Sequence, residues 1–138
     1  MDFRTRAREL AMQCLFQLDV QGSDVLLQIA DFLEENEPDT QSRKIAYEWA
    51  KKTWQNLESC DELISDAMIK WRLSRLAPVD RSILRLSVYQ FLYCSEIPPR
   101  VVINEAVELA KKFGSDKSFA FVNGVLDAVL KKIESRKF

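Results

Sequence analysis

The stretch Val79–Cys94, VDRSILRLSVYQFLYC, decides the fold. Placed on a helix, Ile83, Leu84, Leu86, Val88, Tyr89, Phe91, Leu92 and Tyr93 leave no wide polar face. A surface helix shows a single apolar stripe, whereas a helix that is apolar nearly all round belongs at the centre of a domain. Leu76-Ala77-Pro78 precedes the stretch and Ile97-Pro98-Pro99 follows it. Both are breaks, because proline cannot continue a helix yet suits a first helical turn. The remaining segments must therefore wrap this one.

Each flanking segment carries one stripe, as that arrangement requires. Phe3, Ala7, Leu10, Ala11, Cys14, Leu15 and Leu18 predict a helix over 3–20, stopped by Gly22. Ser23 or Asp24 can cap a second, with Val25, Leu26, Ile29, Ala30 and Leu33, ending before Pro38. A third over 40–58 presents Ile45, Ala46, Trp49, Thr53 and Leu57. A shorter fourth begins at Asp61 and carries Leu63, Ile64, Ala67, Met68 and Trp71. After the central helix, Val102, Ile103, Ala106, Leu109, Ala110 and Phe113 form a stripe closed by Gly114. Val122, Val125, Leu126, Val129 and Ile133 mark a last helix over 116–134. No segment alternates with period two. The expectation is an all-α chain of about seven helices, one domain spanning 1–138, long enough to bury a proper core.

Composition removes most enzyme chemistry. The chain has no histidine, which excludes imidazole acid–base catalysis and most zinc sites. It carries no P-loop, no Gly-x-Gly-x-x-Gly and no Gly-x-Ser-x-Gly, so no catalytic residue, metal or cofactor is expected. Cys14, Cys60 and Cys94 are odd in number and never paired as Cys-x-x-Cys. They fit buried, reduced thiols and a cytoplasmic setting. The charge-free run 86–95 is too short to span a bilayer, and residues 1–8 already read as polar helix rather than a secretory leader.

Charge is uneven although the formal net is only -1. Arg4, Arg6 and Arg8 open the chain, and Lys131, Lys132, Arg136 and Lys137 close it. Residues 23–39 hold Asp24, Asp31, Glu34, Glu35, Glu37 and Asp39 and no base. Basic ends on a nearly neutral chain suit a local polyanion site. On the first helix the arginines flank the apolar stripe, so they are expected to stay in water within reach of phosphates. Cations at a helix start oppose the macrodipole, which favours a functional reason for them. Met12 and Phe16 fall nearly opposite the stripe, either as isolated exposed apolar residues or as anchors for a protein partner. Gly114-Ser115-Asp116-Lys117-Ser118 feeds a helix start, where free backbone N–H groups and Lys117 can accept a phosphate. Phe121 lies at the edge of its helix's stripe, as core rim or as a surface on which a base stacks.

Three stretches, RARELAMQCLFQLD, LAPVDRSILRLSVYQFLY and IPPRVVINEAVELAKKFGSDKSFAFVNGVLDAV, occur in this order. Together they resemble the NusB family of bacterial transcription antitermination factors over nearly the whole chain. The resemblance implies two small helical subdomains around a shared core and no enzymatic activity. It implies pairing with the ribosomal protein NusE, binding of single-stranded boxA RNA in nascent ribosomal transcripts, and indirect association with other Nus factors and RNA polymerase. Arg4, Arg6, Arg8, Lys117, Ser118 and Phe121 match the RNA-contacting positions. Met12 and Phe16 lie on the helix face turned to NusE, and Asp80 matches an acid expected to pair with a basic group there. Glu105 is left unassigned, with a structural hydrogen bond to Arg81 or Arg85 as one candidate role. Thr5 and Ala120 stand where many relatives carry a base, so the chain alone is expected to bind RNA more weakly than with its partner. A homodimer on the first helix would mask the arginines and Phe16 together. Two other readings are a helical RNA-binding module like that of rRNA methyltransferases, and a protein-only interaction module.

Overall fold

Nine consecutive residues of the central helix, Ser82 to Gln90, are buried. The computed structural model describes residues 2–136, so Lys137 of the basic C-terminal run lies outside it. Among the described residues there are seven α-helices and no strand: α1 Phe3–Gln21, α2 Leu26–Asn36, α3 Thr40–Gln55, α4 Leu57–Ala67, α5 Pro78–Tyr93, α6 Pro99–Phe113 and α7 Ser118–Ser135. Short 3-10 turns fall at Ser23–Val25 and Leu73–Arg75. Helix α5 touches α1, α3, α4, α6 and α7. The helices form an N-terminal group, α1–α3, and a C-terminal group, α4–α7, that share α5 as their core.

Local chemistry sets the ends. Asp2 caps α1, its carboxylate accepting from the Arg4 N–H at 2.7 Å, and this anion offsets the cost of arginines at a helix start. Gly22 ends α1 with a φ of 90°, a conformation glycine adopts without strain. Asp39 caps α3 by accepting from both the N–H and the hydroxyl of Ser42.

The two arginines of α5 are matched by carboxylates rather than exposed. Arg85 donates to Asp61 of α4 at 2.8 and 2.9 Å and to Asp19 of α1 at 3.0 Å. Burial opposes its charge, but the bonds to Asp61 and Asp19 outweigh that and raise its pKa. Arg81 shares Asp19 and also donates to the carbonyls of Leu73 and Leu76 at 3.1 and 3.0 Å.

Two boundaries differ from the sequence expectation. The turn between α3 and α4 sits at Asn56, φ -117° and ψ 27°, whose side chain donates to the Lys52 carbonyl. Helix α4 therefore starts four residues before Asp61 and ends at Ala67. Trp71, placed by periodicity on the fourth helix's core stripe, lies outside any helix and is 61% exposed. Helix α4 stops because Met68 is extended, with φ -103° and ψ 113°; beyond it, Arg81 holds the Leu73 and Leu76 carbonyls.

Candidate nucleic-acid and protein interfaces

The three N-terminal arginines have different fates. Arg4 is exposed, its guanidinium 4.8 Å from the centre of the Phe3 ring. Arg6 donates to Glu37 at 2.9 Å, to Glu9 at 3.3 Å and to the Asn36 carbonyl at 3.2 Å. The Glu37 bond raises its pKa. Arg8 is only 4% exposed. It donates to Glu105 at 3.3 Å and Gln90 at 3.4 Å, and lies 5.3 Å from the Trp49 ring centre. Burial lowers its pKa, with Glu105 opposing. The expectation that all three stay in water is thus corrected, most clearly for Arg8. Helix α1 is packed between α3 and α5, so its buried face covers every residue from Ala7 to Met12. That face is wider than a single stripe.

Glu105 is not the partner of Arg81 or Arg85. Its carboxylate accepts from Thr5 at 2.6 Å and from Arg8, joining α6 to the start of α1. A base at position 5 would lose that hydroxyl bond. Around Arg4 and Arg8 a hollow of about 640 Å³ also contains Asp2, Glu96 and Glu105, so acids offset its cations.

At the start of α7, Ser118 is 2% exposed. Its hydroxyl accepts from the Ser115 N–H at 2.9 Å, so it shapes the turn and is closed to solvent. Gly114 permits this: a Cβ there would fall 2.5 Å from the Ser118 hydroxyl oxygen. Lys117 is exposed, and among the described residues no ion pair engages it. Phe121 is half-buried against the core and also lines a hollow of about 380 Å³ with Met68, Ile69, Lys70, Trp71 and Gly124. It is therefore both core rim and open surface.

On the other side of α1, Met12 is 2% exposed. It is corrected from an exposed anchor to the floor of a groove of about 360 Å³, which Phe16, Phe32, Val79 and Phe113 also line. Phe16, at 36% exposure, is the accessible aromatic there. Asp80 follows Val79 in the first turn of α5. One of its carboxylate oxygens, Oδ1, is buried without a hydrogen-bond partner. A buried acceptor left unmatched is costly.

Periodicity missed Ile69 and Trp71. The signal available was a run from 67 to 79 with Lys70, Arg72 and Arg75 and no acid, interleaved with apolar residues.

Comparison with known proteins fits this geometry. The sequence model of the NusB family matches residues 5–131. Transcription antitermination protein NusB of Bacillus licheniformis is 43% identical over 95% of this chain and 98% of its own. The Bacillus subtilis protein of the same name is 42% identical over 95% and 97%. Thermotoga maritima NusB superposes with a TM-score of 0.85 at 35% identity, covering 98% of this chain and 97% of its own. A chain from a crystal structure of antitermination factors NusB and NusE in complex with double-stranded RNA superposes at 0.83 with 27% identity, covering 96% and 98%. Fold and extent of match agree, and the chain belongs to the NusB family of transcription antitermination proteins.

Proposed function

We propose that this protein pairs with NusE and, with it, holds single-stranded boxA RNA of nascent ribosomal transcripts, so entering the antitermination assembly on RNA polymerase in the cytoplasm. The observation that carries the pairing is the apolar groove lined by Met12, Phe16, Phe32, Val79 and Phe113, with Asp80 next in sequence to Val79. Apolar anchors beside one buried charge are what a specific protein contact requires. A solved relative occurs in complex with NusE and double-stranded RNA, which supports both partner classes.

On the RNA side, Arg4, Lys117 and Phe121 are the accessible members of the candidate set. Arg6 and Arg8 are held by Glu37, Glu9 and Glu105, so RNA must compete with those acids for them. This supports weak RNA binding by the free chain and stronger binding with NusE.

Solution mass measurement of the chain alone, with NusE, and with NusE plus boxA RNA tests the reading and reports any homodimer. Phe16→Ala and Asp80→Asn should each weaken NusE binding about 10-fold or more, with the thermal transition nearly unchanged. Arg4→Ala combined with Lys117→Ala should shrink the log–log salt slope of RNA affinity by about 1.4, at about 0.7 per phosphate contact on a single strand. Unchanged NusE binding by both interface variants, or an unchanged salt slope, would count against the corresponding half of the reading.

A further inference from the structure

The segment joining α4 to α5 gathers exposed apolar and basic side chains. Ile69 is 97% exposed and Trp71 61% exposed, although most large apolar side chains of this chain are covered. Lys70, Arg72 and Arg75 are exposed beside them. Among the described residues, no ion pair involves any of the three. That contrasts with Arg6, Arg8, Arg81 and Arg85, which are all held by carboxylates. Ile69, Lys70 and Trp71 line the same 380 Å³ hollow as Phe121.

Gly124 is the second, independent observation. It lies in the body of α7, where glycine is the poorest helix former after proline. A Cβ added there would meet nothing within 4 Å. Packing therefore does not demand glycine at this position. What its bare backbone does is leave the floor of the hollow open.

We propose that this hollow is a nucleobase pocket for single-stranded RNA, with Trp71 as stacking platform opposite the Phe121 rim and Lys70 and Arg72 as phosphate contacts. Free cations next to an exposed indole complement a polyanion with unpaired bases, because stacking on aromatics is available to any base and basic side chains track the backbone. The pocket is continuous with Phe121, so it extends the RNA-binding reading above and rests on it.

The test uses fluorescently labelled boxA RNA titrated with the chain together with NusE. Trp71→Ala should weaken RNA binding about 10-fold, the loss typical of one stacked base. Gly124→Gln, which fills the hollow while favouring the helix, should weaken it similarly without lowering the melting temperature. Trp71→Phe should retain affinity. With the chain alone, unlabelled RNA should quench the tryptophan emission of the wild type but not of Trp71→Phe, since Trp49 is only 9% exposed and Trp54, on α3 and bonded to Ser23, does not line the hollow. Wild-type RNA affinity in both Trp71→Ala and Gly124→Gln would overturn the pocket. If Arg4→Ala with Lys117→Ala still weakened RNA binding in that case, the broader RNA reading would stand. Loss of NusE binding by Trp71→Ala, with RNA affinity kept, would also overturn the pocket and assign the patch to a protein. No RNA binding by the wild type with NusE would sink both.

Discussion

Arg4 and Arg8 are one helical turn apart and show how little a residue type says about its role. Arg4 is exposed, whereas Arg8 is buried against Trp49 and bonded to Glu105 and Gln90. Arg8→Ala removes a buried cation and leaves Glu105 with Thr5 alone, so it should cost about 3 kcal/mol in denaturant unfolding. Arg4→Ala should stay within about 0.5 kcal/mol of the wild type. An RNA defect in Arg8→Ala is therefore informative only once the folded fraction has been measured. The sequence showed the arginines but not this split, because the acids that hold them lie 31 and 97 residues away. Periodicity reports the face a residue occupies and is silent about which distant helix closes over it.

The helices themselves were largely legible. Helix α5 was plain because the run Ile83–Tyr93 has no polar face to offer solvent; its one charged residue, Arg85, found partners on α1 and α4 instead. Helices α6 and α7 followed from clean stripes closed by Pro99 and Gly114. Where α4 stops was not legible, since no glycine or proline marks Ala67 and the chain simply turns extended at Met68. The same point hid Trp71, the residue on which the proposed pocket depends. Within α7, Gly124 faces open space, so Gly124→Ala should stabilise the protein by about 0.5–1 kcal/mol, read as a rise in melting temperature. A loss of stability would mean that the backbone there is packed more closely than the structure shows.

At the scale of the whole molecule, stability should decline in alkali through thiols rather than through histidine, of which there is none. Cys14 and Cys60 are completely buried, and burial pushes each thiol up from 9.0 to about 12. Below pH 9 both folded and unfolded chains keep these protons, so the contribution is constant. Between about 9 and 12 the unfolded chain releases them and the folded chain retains them, so stability falls as pH rises. A melting series from pH 7 to 11 should show that fall, and Cys14→Ala with Cys60→Ala should flatten it while lowering stability at neutral pH. The joining of the first helix to the last third of the chain has one more consequence. Arg8 finds Gln90 and Glu105 only after 82 and 97 further residues exist. At a synthesis rate of about 5–20 residues per second, α1 can pack on α3 early but waits about 5–20 seconds for α5 and α6. During that interval the side of α1 that packs on α5 is open, which makes the nascent chain a natural client for a chaperone.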